Sequence, residues 1–190
     1  MTTRPGETSQ AWRARHLRRI RAILILFIIA LVAAGLTAFP LRWEVDVLAG
    51  WVGVAPNAPP ADYSGLQNWI ATVRQALDET YGKYPFMACG TDWLAFAHII
   101  IGLAFIGAVR DPVRNLWVIT WGMIACALVV PQTLVCGTLR GIPFYWQLID
   151  CSFGVFGIIP LWLARRFTLE LQAAAPRSRI SGESRCDGRP

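Results

Sequence analysis

The chain has only two histidines and no two cysteines at C-x-x-C spacing. A bis-histidine haem site would need both His16 and His98, but His16 lies in a basic leader outside any apolar run, so a haem would need a dimer or another ligand. Without C-x-x-C, the close pairing that makes redox thiols reactive is missing. No glycine-rich phosphate loop of the Walker or dinucleotide type is present, nor any repeat at a solenoid period. No metal-ligand set and no particular cofactor are indicated. Charge is scarce as well: 16% of the 190 residues are charged, against 55% hydrophobic. Soluble domains carry about a quarter charged residues, so this composition points to a lipid-facing protein.

The net charge of +6 is concentrated in tails and loops. It reads as a topology signal, not as affinity for nucleic acid. Four apolar segments approach the ~20 residues that cross a ~30 Å hydrocarbon core: residues 22–39, 93–109, 116–136 and 144–163. Arg13, Arg15, Arg18, Arg19 and Arg21 precede the first span. Arg110 and Arg114 lie between the second and third, and Arg165 and Arg166 follow the fourth. These three regions are expected on the cytoplasmic side, with both termini. The first span has features of a signal peptide, but its long polar leader and poor cleavage site at Leu36-Thr37-Ala38 favour an uncleaved anchor.

The expected architecture is therefore all-α: an integral membrane four-helix bundle with an outer excursion between the first two spans. Residues 1–21 form a basic leader, expected to be disordered over residues 1–20, and residues 173–190 a disordered polar tail. The excursion, residues 40–91, opens with "LRWEVDV", whose pattern suits a strand or a helix equally. After the linker "APNAPPA", Ser64 can cap an amphipathic helix near 64–81, expected to lie on the membrane surface. The short loops "RDPVRN" and "GTLRGIP" make spans two and three, and three and four, antiparallel neighbours. Trp43, Trp51, Trp69, Trp93 and Trp146 fall on the outer side and Trp117 and Trp162 near the inner ends, as interfacial anchoring requires.

One carboxylate interrupts the fourth span. Asp150 lies six residues past Phe144, and His98 six residues past Asp92, so both sit ~9 Å inside the outer end of a helix at 1.5 Å per residue. Gln132 lies four residues before Cys136, in the same outer layer. Gln147, Asp150, Gly154 and Gly157 share one stripe of span four; Ala95, His98 and Gly102 share one of span two. Gly122, Cys126, Thr133 and Cys136 share one of span three, with Gln132 beside it. Small stripes pack transmembrane helices together, so these are expected to face each other around a polar layer, with Asp92 and Arg140 at its rim.

Two roles fit that layer. Asp150 and His98 can act as catalytic proton-transfer groups, or with Gln132, Gln147, Arg140 and Asp92 bind a ligand. Alternatively, they form an interhelical hydrogen-bond set worth only ~0.6 to 2 kcal/mol per bond, against a cost of ~2.5 to 3.5 kcal/mol for a central aspartate. A Cys89–Cys136 disulfide would tie the excursion to span three; Cys151 adjoins Asp150, Cys126 is mid-membrane, and Cys186 lies in the tail.

The stretches "YPFMACGTDWLAFAHI", "RDPVRNLWVI", "GMIAC" and "RGIPFYWQLIDCSFGVFGIIPL" resemble a group of small bacterial polytopic membrane proteins with no known activity. The resemblance covers nearly half the chain and implies a bacterial cytoplasmic-membrane setting. It carries over no catalytic residue and no cofactor. The leading expectation is a non-enzymatic accessory or assembly subunit, whose partners are the bilayer and another membrane protein or a second copy. The rival is a small membrane-embedded enzyme or carrier with an outer-half polar pocket.

Overall fold

The computed structural model describes residues 5–174, with side chains from Gln10 onward; Cys186 and the predicted tail beyond residue 174 lie outside the described residues. Among the described residues the protein is all helical. Six α-helices run in chain order: α1 (Pro5–Thr37), α2 (Leu41–Trp51), α3 (Gly65–Lys83), α4 (Cys89–Arg110), α5 (Leu116–Leu139) and α6 (Phe144–Ala173). Short 3-10 turns at Pro60–Asp62 and Pro85–Ala88 lead into α3 and α4. Four helices, α1, α4, α5 and α6, are long and apolar enough to cross a bilayer.

The basic loops and helix ends gather at one end of the molecule. Arg21 Nε and Nη2 donate to the carbonyls of Val109 and Arg110, capping the last turn of α4 (3.1 and 3.3 Å). Contrary to expectation, the basic leader is helical from Pro5 and continues α1 without a break. The reason is packing. Trp12, Leu17 and Ile20 recur along one face of α1 and join the core that α6 also enters. His16 stacks on Trp12 with centroids 4.0 Å apart, meets Phe167 edge-on, and places Nε2 3.4 Å from Glu170.

The opposite end carries a helical hairpin made of α2 and α3. "LRWEVDV" is the start of α2, and Val45 and Ala49 are its buried positions. Ser64 occupies the N-cap position of α3, though its hydroxyl makes no capping bond, and the helix runs one residue past Gly82. The apolar face of α3 was expected to lie on the bilayer. Instead, Ile70 and Ala71 pack with Ala49 and Val54, and Trp146 at the start of α6 packs against the same cluster. Tyr145 Oη donates to the Gly65 carbonyl (3.2 Å) and Trp69 lies against Trp146, so the hairpin rests on the end of α6.

Arg42–Asp78 and Arg74–Asp46 join α2 to α3, each at 2.6 Å. Both pairs are partly exposed, and such pairs contribute ~0 to 1 kcal/mol. Asp46→Asn should therefore lower hairpin stability by less than ~1 kcal/mol, and by still less at high salt. Denaturation of the variant at low and high ionic strength checks both parts.

In the membrane-spanning part, α1 packs between α4 and α6, and α6 packs on α5, giving the spatial order α4–α1–α6–α5. Sequence-adjacent α4 and α5 were expected to be close neighbours. They make little contact, at the loop, where Asn115 Nδ2 donates to the Gly107 carbonyl (3.0 Å), and where Phe105 meets Gly122. The main apolar core, with Leu24, Phe105, Ile119 and Leu161 fully buried, is confined to the half of the bundle nearest the basic end. Because α1 supplies Ile20 and Leu24 to this core, it is a structural member of the bundle.

Toward the hairpin end, close packing depends on small residues. A Cβ on Gly154 would lie 2.5 Å from the Cys126 carbonyl oxygen, and one on Gly35 would collide with the His98 side chain. Gly102 admits Val32 of α1, and Gly137 admits Gln147 of α6. With lipid tails as apolar as the side chains, helix association rests on such close approach instead of on transfer from water.

Candidate functional site

The three small stripes do not converge on one axis. On α4, Ala95 and Gly102 are buried against α1, with Gly102 under Val32 and Ile28. On α6, Gln147, Cys151 and Gly154 face α5, and Gly157 sits against Cys126 and Phe27. The inferred polar layer is therefore divided between two helix pairs, α1–α4 and α5–α6.

His98 packs over Gly35, and its Nδ1–H donates to the Leu94 carbonyl one turn earlier (2.8 Å). A neutral imidazole bonded in this way carries its free lone pair on Nε2, which is left as an acceptor. Gln132 is exposed on α5 and donates to Cys136 Sγ (3.2 Å) on its own helix. Gln147 is 97% buried; its amide donates to the Ile142 carbonyl (2.7 Å), and its Oε1 has no partner. It closes the α5–α6 turn and packs against Gly137. Asp150, between Gln147 and Gly154 on α6, is partly exposed and makes no hydrogen bond or ion pair with any described residue.

The structure thus does not join Asp150, His98 and Gln132 in one hydrogen-bond set. Asp150 and His98 remain partly exposed at a depth where a closed bundle would bury them, and the apolar core ends on the basic side of them. Asp92 and Arg140, expected as a rim, are both exposed and do not pair. The Cys89–Cys136 disulfide is not formed. Cys89 is exposed at the start of α4 and Cys136 faces its own turn of α5, on helices that touch mainly near the opposite end. Cys151 Sγ points to the Val130 carbonyl at 4.0 Å.

Two clefts open near the hairpin end. One, of about 300 Å³, lies within the hairpin between Val54, Pro59, Arg74 and Asp78. The other, of about 340 Å³, lies between the end of α1 and the first turns of α4 and is lined by Phe39, Asp92, Trp93 and Phe96. Asp150, His98 and Gln132 line neither. Among the described residues, no three His, Cys, Asp or Glu side chains cluster as a metal site.

Sequence reasoning missed Phe39 as a cleft wall, because it is the last residue of the first expected span and belongs to no periodic stripe. It also missed the Trp12–His16–Glu170 contact, which links a leader to a helix extension that hydropathy alone does not register. No family model, curated protein or solved structure matches the chain. The side chains themselves must carry the functional argument.

Proposed function

We propose that this multi-pass membrane protein is a non-enzymatic subunit that assembles with another membrane protein through the half of its bundle nearest the hairpin. One observation carries this reading: Asp150 lies within a membrane-spanning helix, partly exposed and without a partner among the described residues. A carboxylate in hydrocarbon costs ~2.5 to 3.5 kcal/mol on insertion scales, and such groups are offset by a partner or a polar cavity. Asp150 lies outside both clefts near the hairpin, and in this reading its counterpart is a partner's side chain. The chemistry sought at Asp150 is a cation or a hydrogen-bond donor on a neighbouring helix.

In this reading the membrane is the bacterial cytoplasmic membrane, with the basic end inside and the α2–α3 hairpin outside. The arginines gathered at one end support that orientation. Cys89, exposed at the hairpin end, provides a direct check. A membrane-impermeant maleimide should label it in intact cells, and Cys89→Ser should remove that label. Labelling of Cys89 only after lysis would reverse the orientation. Non-reducing gels should show the same mobility as reducing gels.

Native mass spectrometry of the protein released gently from its own membrane tests the role itself. A stoichiometric protein partner is the expected result. A stoichiometric small molecule, lost from an Asp150 or His98 variant, would replace this reading with the pocket of an enzyme or carrier.

A further inference from the structure

Two polar side chains within the membrane, Asp150 and His98, face the same gap from different helix pairs. Asp150 lies seven residues outward of Gly157 on α6, and seven residues, close to two full turns, return to the same edge of a helix. That edge is fixed at Gly157, where a Cβ would lie 2.9 Å from Cys126 Sγ of α5 and 3.7 Å from Phe27 of α1. Asp150 therefore faces between α5 and α1, toward the interior of the bundle. His98 lies seven residues outward of Phe105 on α4, whose ring meets Phe27 with centroids 5.0 Å apart and crowds Gly122 of α5. Phe27, Phe105 and Leu161 thus floor a gap, and Asp150 and His98 stand on two of its walls, two turns nearer the hairpin.

One side of this gap is open, because α4 and α5 make little contact beyond their loop and the meeting of Phe105 with Gly122. A seam runs between the two helices toward the hairpin. Ala95 and Gly102 of α4 face α1, so Leu94 and Ile101, on the other side of His98, border the seam. Cys126 and Val129 of α5 face Gly154 of α6, so Ala125 and Gln132 border it from the facing helix. All four are exposed or partly exposed. The groups inside select what enters. Asp150 pairs with no described cation, and with Nδ1–H bonded to Leu94 the His98 ring presents Nε2 as an acceptor. A carboxylate and an imidazole lone pair are both complementary to a cation. Both groups lie ~9 Å inside the outer ends of their helices, below headgroup level, so the cation has to enter the hydrocarbon on an apolar element. A transmembrane helix bearing a lysine or arginine meets that condition, with the side-chain stem lying along the apolar border of the seam.

We propose that one transmembrane helix of the partner packs along the seam between α4 and α5 and extends a lysine or arginine side chain into the gap, against Asp150 and beside His98. This rests on the assembly reading and deepens it: the partner binds at the seam, not on the outward faces of α4 and α6, and it supplies a cation.

The test is site-specific photo-crosslinking of the full-length protein in its native membrane. A benzophenone side chain is placed at Leu94 or Gln132, which border the seam, or at Ile100 or Ile149, exposed positions two residues from His98 and Gln147 and so turned away from it. Adducts with one protein are expected at Leu94 and Gln132 and not at Ile100 or Ile149, and the cross-linked peptide should come from a transmembrane segment containing a lysine or arginine. Asp150→Leu should lower both adducts by about tenfold or more, the loss expected when a charge-assisted bond is removed. Asp150→Asn, which keeps the side chain's size and removes its charge, should do the same, and it decides the matter if Asp150→Leu does not accumulate. A cross-linked segment without a basic residue overturns the proposal, as do seam adducts that survive both substitutions. Protein adducts confined to Ile100 or Ile149, or lipid adducts alone on the seam, overturn it too. In those cases a stoichiometric protein in native mass spectrometry keeps the assembly reading standing, and its absence removes both.

Discussion

Gly154→Ala is expected to destabilise the protein by ~1 to 3 kcal/mol, the usual cost of forcing atoms into a closely packed contact. The added methyl would lie 2.5 Å from the Cys126 carbonyl oxygen and 3.2 Å from Val129 Cβ. The oxygen belongs to the backbone of α5 and cannot rotate away, so relief requires the two helices to move apart. That loses the contacts that hold α5, because α6 is its principal neighbour. Gly102→Ala should cost less. Its nearest obstacle is Cγ2 of Val32 at 2.9 Å, a side-chain methyl whose helix has a second partner in α6. Gly82→Ala should have the opposite sign, a gain of ~0.5 to 1 kcal/mol, because nothing lies within 4 Å and alanine is the better helix former. Thermal unfolding of the three variants in nanodiscs gives the ranking. A Gly154→Ala protein as stable as wild type would mean that α5 does not depend on close contact with α6.

The same packing explains how much of the molecule was legible in its sequence. Span positions follow from composition, and the four apolar runs became α1, α4, α5 and α6. Part of the buried face of spans two to four was legible as well: Ala95, Gly102, Gly122, Gln147 and Gly154 are all buried. Which neighbour each face meets was not. A stripe gives a direction around one helix and carries no label for its partner, so chain adjacency set α4 against α5. In the fold, α1 takes that place because Gly35, Val32 and Ile28 offer α4 a surface it can approach closely. Once α1 stands between α4 and α6, His98 and Asp150 belong to different helix pairs even though their depths were read from the sequence. The helical leader escaped notice for a related reason. Trp12, Leu17 and Ile20 are spaced for one helix face, but the arginines between them lower the hydropathy of every window that contains them.

Asp150→Leu should leave the isolated protein at least as stable as wild type, with a gain of up to ~2 to 3 kcal/mol, the insertion cost of an aspartate within hydrocarbon. The sign of this effect separates the two roles first considered for the residue. Were Asp150 part of a hydrogen-bond set that fixes helix register, its removal would strand its partners and lower stability. No partner is present to be stranded, since Asp150 bonds to none of the described residues and His98 is already satisfied on Nδ1 by Leu94. The same substitution should weaken capture of the protein partner by about tenfold or more, because a charge-assisted hydrogen bond contributes ~1.5 to 3 kcal/mol. Asp150→Asn retains the shape and some of the hydrogen-bonding capacity, so its capture should fall between that of wild type and Asp150→Leu if the partner group is a donor, and match Asp150→Leu if it is a cation. Thermal unfolding of the isolated protein and co-purification from the native membrane measure the two effects separately. A destabilised Asp150→Leu protein would return this carboxylate to the interior of its own bundle, and undiminished capture would move the partner's contact away from it.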